Sequence, residues 1–256
     1  MSAGLPSVSV IVVTRDRPQL LADALASVAA QRLEPREVRI ANDGVIPVTE
    51  AAAELEALEV VLLECDCAHA AGARNAAARG AHGDVLAFLD DDDVWRPEHL
   101  EGLAQAFVNP DVALAYRDAV VMREILESRG ARVELERRLI AREWDPEWMR
   151  HDDYIPPSAL AVRRTLFTEL GGFDESFRFS EDWDFLLRAA RVTQPRRVAG
   201  VTVEVRMRHA GHASHERGPE RRECLDRLAE RHGLPPLEIK TFWEVAEALG
   251  AAQAGS

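Results

Sequence analysis

Four consecutive carboxylates, Asp90, Asp91, Asp92 and Asp93, end a short apolar run from Val85 to Leu89. Two unit charges about 4 Å apart repel by ~1 kcal/mol in water and by ~4 kcal/mol at an effective dielectric of ~20. Such a cluster is a liability unless a cation joins it. Hard divalent ions such as Mg²⁺ or Mn²⁺ take oxygen ligands and keep room for phosphate oxygens and water. The bland alternative is a solvated acidic turn that favours the N-terminal dipole of a following helix. The residues before the acids argue for the first reading. Apolar without alternation, they suit a strand buried on both faces, and α/β sheets bind ligands at the carboxyl ends of such strands.

Other polar groups recur at equivalent places. Ser7 to Val13 reads as a first buried strand that breaks at Thr14-Arg15-Asp16-Arg17-Pro18, and Glu37 to Ala41 as a second, stopped by Asn42-Asp43-Gly44. A helix from about Thr49 to Leu58, a strand from Val60 to Leu63 and an alanine-rich helix containing Arg74 and Asn75 lead to the strand before the acids. Strands alternating with helices indicate a mainly parallel α/β sheet with helices on both faces. Thr14, Asp16, Asn42, Asp43 and Asp90 to Asp93 then face one crevice. The first turn lacks both GxGxxG and GxxxxGK[ST], which argues against dinucleotide and P-loop sites.

Beyond the acids, Pro97 to Val108 reads as a helix and Asp111 to Val121 as a strand. From Met122 to Arg150 charges are dense, and Trp144 and Trp148 punctuate the end. An acceptor-side lid, a helical excursion or a solvated amphipathic helix all fit this texture. Asp153 to Val162 is extended and precedes a short helix from Arg164. Glu181-Asp182 begins a further helix, where a carboxylate pair can simply compensate the dipole or leave one acid free for proton transfer. Val198 to Val205 is a last strand, followed by His209, His212 and His215, a spacing that suits either a metal site or an exposed loop. From Glu220 on, two helices separated by Gly233-Leu234-Pro235-Pro236 are expected on the outside of the sheet.

The 256 residues suffice for one large core. A net charge of −13 argues against non-specific binding to nucleic acid or anionic membranes. Almost all the positive charge is arginine, Lys240 being the only lysine. Cys65, Cys67 and Cys224 form no disulfide framework, as in a reducing cytosol. Cys65 and Cys67 stand too close for the usual zinc pair, with no second pair, and read as small semi-buried residues. Neither a secretory signal nor a membrane span is visible, so a cytoplasmic protein is expected.

Taken in order, SVSVIVVTRDRP, VRIANDG, AGARNAAARGAHGDVLAFLDDDDVW, LGGFDESF, SEDWDFLLR and RMRHAGHAS resemble the family 2 glycosyltransferases. The resemblance implies a GT-A (Rossmann-like) fold, with a donor half at 1–121, an acceptor-binding and catalytic half at 122–216, and a helical tail at 217–256. It implies transfer of a sugar from a nucleotide diphosphate sugar, a UDP-sugar favoured, usually with inversion and with Mn²⁺ or Mg²⁺. The acceptor would be a hydroxyl of a glycan, a lipid-linked glycan or a small metabolite. Carried over by motif, Thr14 and Asp16 would lie by the nucleoside and Asp43 would accept a hydrogen bond from the base. Arg74 would approach the base or diphosphate. Asp90 and Asp92 would form the Asp-x-Asp motif, with Asp92 on the metal and Asp91 near the ribose. His209, or failing it His212, would add a metal or diphosphate ligand, and Asp182 of the Glu181-Asp182 pair would be the general base. Asn42-Asp43-Gly44-Val45 stands where the family often has Asp-Asp-Gly-Ser, so one hydrogen-bonding side chain is missing. An inactive nucleotide-sugar binder is the alternative outside enzymes. A sugar-phosphate nucleotidyltransferase would want a glycine- and lysine-rich first loop that VVTRDRP lacks.

Overall fold

The computed structural model describes residues 4–126, 132–208 and 217–254. Strand β1 (Val8–Thr14) is buried along its whole length and runs parallel to β2 (Glu37–Asn42), with β3 (Val60–Glu64) beyond it. On its other side β1 pairs in parallel with β4 (Val85–Asp90), Val13 lying opposite Asp90. The unbroken apolar runs of β1 and β4 occupy the middle of the sheet, whereas β3 lies at its edge and is only partly buried. Helices α1 (Pro18–Ala29), α2 (Thr49–Ala52) and α3 (Ala70–Ala78) make the connections. The helix expected to reach Leu58 is shorter, α2 ending in a 3₁₀ turn at Ala53–Leu55. Successive strands lie on opposite sides of β1, which opens a crevice at the carboxyl ends of β1 and β4. Thr14 and the acids are placed there by topology alone.

The second half builds outward from β4. After β5 (Val94–Trp95) and α4 (His99–Ala106) come β6 (Leu114–Leu126), β7 (Arg132–Ile140) and β8 (Leu160–Arg163). Then follow α5 (Arg164–Glu169), α6 (Glu181–Ala189), β9 (Arg196–Arg208), α7 (Pro219–His232) and α8 (Phe242–Ala254). The sheet order is β3-β2-β1-β4-β8-β6-β9-β5, with β7 paired to β6. Strand β8 runs antiparallel to both β4 and β6, while β6 and β9 are parallel.

Residues 122–140 differ from expectation. Among the described residues there is no helix here: β6 continues to Leu126 and pairs antiparallel with β7 (Arg132–Ile140) as a ribbon. Its dense charges pair across or along the strands, as in Arg132 with Glu124 at 2.9 Å, so the charge pattern mimics a solvated helix. The tail packs on the sheet. Helix α8 packs on β7 and β6, and buried Trp243 lies under the guanidiniums of Arg123 and Arg138, 4.2 and 4.7 Å from its ring. The connection between α7 and α8 reaches the crevice itself, where Lys240 pairs with Asp152 at 2.8 Å.

Candidate active site

Asp91 to Asp93 form the tight connection between β4 and β5, closed by a bond from Asp93 N to Asp90 O. This turn sorts the four acids by direction. Asp91 is fully buried, accepting from Thr14 Oγ1 at 2.7 Å and pairing with Arg17 at 2.6 Å. Asp93 is buried too, accepting from Ser158 Oγ at 2.6 Å and from Arg206 N at 3.2 Å. The side chains of Asp90 and Asp92 keep 25% and 10% exposure and face the crevice. Burial pushes Asp91 up to about 7, against the pull of Arg17 and with the push of Asp92. Burial and the charges of Asp92 and Asp90 hold Asp93 well above the usual carboxylate range. Arg17, Arg208, which lies 3.4 Å from Asp92, and Arg74, which meets Asp90, compensate three of the four negative charges at most.

Oxygen-only donors with surplus negative charge fit a hard divalent cation. No three of these carboxylates converge on one point among the described residues. A cation would take one or two of them and complete its shell with phosphate oxygens and water, as Mg²⁺ commonly does.

Arg74, on α3, is 3% exposed and reaches 2.5 Å from Asp90 on one side and 2.5 Å from Glu181 on the other. It ties the acid turn to the start of α6. Despite burial, which opposes its charge, Asp90 and Glu181 hold it more firmly protonated than a free arginine. Burial pushes Glu181 up to about 7, with the Asp182 charge adding and Arg74 opposing. Burial also raises Asp182, again opposed by Arg74. Asp182 accepts from Trp183 N at 2.9 Å, and Asp153 stands near enough that its own upward shift, first from burial, includes the Asp182 charge.

The distance between the two acid groups is set by aromatic packing. Phe88 of β4 lies 5.2 Å from Phe173 and 5.7 Å from Phe167, and both of those pack on Phe185 of α6 at 5.0 and 5.5 Å. Such ring pairs contribute about 0.5–1.5 kcal/mol each beyond burial. Asp90 and Asp182 are thus mounted on opposite sides of one rigid cluster. Gly172, at φ +74°, leads into Phe173, and an added Cβ would lie 2.5 Å from Asn75 Oδ1. That oxygen accepts from Phe173 N at 2.9 Å. Gly172→Ala is expected to lower stability by about 1–3 kcal/mol in urea unfolding; an unchanged midpoint would mean that the loop relaxes freely.

The remaining expected residues lie beside the cleft. Asp16, exposed at φ +55°, accepts from Val45 N at 2.7 Å and Ile46 N at 3.0 Å and so shapes the loop after β2. Asp43 accepts from Cys67 N at 2.6 Å and Ala68 N at 3.2 Å and faces Arg15 at 3.5 Å. The cleft, about 820 Å³, is walled by the acid turn, Arg74, Glu181, Asp182 and the tail near Lys240. His209 and His212 lie outside the described residues. Sequence reasoning missed Arg17, Ser158, Asp153 and the Asp152–Lys240 pair. Arg17 stands in the quoted TRDRP motif and Lys240 is the sole lysine, but Ser158 carried no signal.

The family model described as Glycosyl transferase family 2 matches residues 9–171. The chain belongs to glycosyl transferase family 2. The matched span of this glycosyltransferase contains the acid turn and Arg74 and ends before Glu181. Over 239 residues it is 37% identical to uncharacterized glycosyltransferase YwdF of Bacillus subtilis (strain 168), covering 92% of this chain and 87% of that one. It is 28% identical to O-antigen biosynthesis protein RfbC of Myxococcus xanthus, across 73% of this chain but 15% of that protein. Among solved structures, S. aureus TarS 1-349 in complex with UDP-GlcNAc superposes with a TM-score of 0.67 at 18% identity. That match spans 88% of this glycosyltransferase and 66% of the TarS chain. The sheet is accordingly of the GT-A type.

Proposed function

We propose that this glycosyltransferase moves a sugar from a nucleotide diphosphate sugar, a UDP-sugar, to a hydroxyl acceptor with inversion, using a divalent metal at Asp92 and Asp182 as general base. The observation that carries the reading is the Arg74 bridge, which puts the acid turn and the Glu181-Asp182 pair on one cleft. The UDP-GlcNAc named with TarS supports the choice of donor. Mn²⁺ or Mg²⁺, held by Asp92 with Asp90 adjacent, would supply Lewis-acid stabilisation of the departing diphosphate. Glu181 is committed to Arg74, which leaves Asp182 as the member of the pair free to take a proton. Its raised affinity for protons suits it to accept one from the acceptor hydroxyl as that oxygen attacks C1. A single displacement assisted by a base, without an enzyme nucleophile, inverts the anomeric centre.

A thermal-shift panel of nucleotide sugars with and without Mn²⁺ tests the donor and the metal together. A ligand at about 100 times its Kd stabilises the native state by ~2.7 kcal/mol. A UDP-sugar is expected to raise Tm, Mn²⁺ to enlarge the rise, and Asp92→Asn to remove the Mn²⁺ increment. A panel with no response, or an increment that survives in Asp92→Asn, would overturn the assignment. No helix among the described residues is long and apolar enough to cross a membrane.

A further inference from the structure

Two stretches that the transfer step does not use also line the cleft: Asp152-Asp153, ahead of Pro156-Pro157, and the tail residues Glu238, Lys240 and Phe242. Asp152 is buried and tied to Lys240, so it holds the tail at the cleft. Asp153 is held differently. Its Oδ1 accepts from Ile155 N at 2.9 Å, an Asx turn that fixes the plane of the carboxyl group. Its Oδ2 has no hydrogen-bond partner among the described residues, and the group stands close enough to Asp182 to feel that charge. A fixed oxygen with unused acceptor capacity beside the general base is suited to a substrate hydroxyl.

The surroundings indicate what kind of molecule brings that hydroxyl. Lys240 is matched by Asp152 at 2.8 Å and by Glu238 at 3.6 Å, and Arg178 by Glu220 at 3.2 Å. A phosphate or carboxylate on the acceptor would find these cations paired and would face the carboxyl groups of Asp153, Glu181 and Asp182 instead. Phe179 and Phe242, both half-buried, add apolar surface to the same lining. Oxygen acceptors beside aromatic surface complement a neutral sugar ring, which is polar at its rim and apolar on its faces. Given Asp182 as base, on which this inference rests, we propose that Asp153 is the second anchor of the acceptor. Its Oδ2 accepts a hydrogen bond from the hydroxyl vicinal to the one that Asp182 deprotonates, and the acceptor is a neutral sugar ring seated against Phe179 and Phe242. Vicinal oxygens lie a hydrogen-bond length apart, so two neighbouring carboxyl groups can hold the pair at once. Asp153 takes no proton in this arrangement; it fixes which hydroxyl of the ring meets Asp182 and so which linkage forms.

The test uses the full chain with Mn²⁺ and the UDP-sugar that raises Tm most. Methyl hexopyranosides serve as acceptors, with the matching hexose 1-phosphates as their anionic counterparts, and UDP release is followed. Transfer to at least one methyl glycoside is expected, its 1-phosphate counterpart being used roughly tenfold less well or worse. Removing the hydroxyl next to the new linkage should raise the acceptor KM by about 10- to 100-fold, the range for a hydrogen bond to a charged group. These comparisons need only the wild-type chain. Asp153→Asn keeps an oxygen for Ile155 N but turns an NH₂ toward the acceptor, and should raise the KM of the intact glycoside by a similar factor. In that variant the deoxy glycoside should be no worse than the intact one, since both changes remove the same bond. The Tm rise given by the UDP-sugar should stay as in the wild type, whereas a merely structural role would lower it and impair both glycosides alike. Preference for the 1-phosphates, no transfer to any neutral glycoside, or a deoxy penalty undiminished in Asp153→Asn overturns this acceptor site. Failure of every UDP-sugar to bind, or full activity in Asp182→Asn, overturns the functional reading beneath it instead.

Discussion

Asp182→Asn is expected to lower the rate of sugar transfer by about 10²- to 10⁴-fold while leaving donor affinity near that of the wild type. The amide keeps the shape and can still accept from Trp183 N, now 2.9 Å from the carboxylate, but it cannot take a proton from the acceptor. Rates of UDP release measured with acceptor present read the effect directly. A variant with near-normal turnover would remove Asp182 from the mechanism. The wild-type pH profile carries the same signature. Burial raises Asp182, and beside it burial pushes Glu181 up to about 7, so the pair holds protons at pH values where an ordinary aspartate, near ~4, is ionised. Activity should therefore fall as pH drops through an apparent titration above that range. The titration belongs to the coupled pair, not to one residue. An acid limb at the ordinary aspartate value would contradict the burial argument.

Arg74→Met is expected to cost about 3–5 kcal/mol of stability at pH 8, because it strands buried Glu181 without its partner. Arg74 is 3% exposed and lies 2.5 Å from both Asp90 and Glu181. The loss should shrink at pH 5. Burial pushes Glu181 up to about 7 in the folded chain, above the ordinary glutamate value of 4.5, so between these values the folded chain binds more protons. In that window its contribution favours folding at the acid end and weakens as pH rises. Removing Arg74, which lowers the Glu181 titration, moves the window upward and lets Glu181 neutralise at mild pH. Urea unfolding across pH 5–8 measures this, and a loss of stability independent of pH would count against an electrostatic origin. The acid limb of activity should move to higher pH in the same variant, a shift that loss of packing alone would not produce.

Individual segments were readable because their signals are local. The apolar runs of β1 and β4, the break at Thr14 and the start of α6 at Glu181 all follow from burial pattern and helix-end chemistry within a few residues. The ribbon of β6 and β7 was not readable in this way. Most charged residues of β7 are exposed, and the pairing of Arg132 with Glu124 forms only when the strands meet. Within the acid run, four identical residues carry no signal of which face the cleft. The turn between β4 and β5 sends Asp91 and Asp93 inward to Thr14 and Ser158, and Asp90 and Asp92 outward.

By itself the sequence determined the α/β alternation, the acids at the end of a buried strand, and the carboxylate pair at a helix start. These rest on periodicity and on charge, which neighbouring residues carry between them. The tertiary structure alone decided which groups act on one another. Arg74 meets Glu181 across 107 positions, Lys240 meets Asp152 across 88, and Asp43 meets Cys65 across 22. The physical reason is sheet order. Strands adjacent in space are not all adjacent in the chain, and the loops that converge at one edge bring together charges whose mutual effect exists only at contact distance.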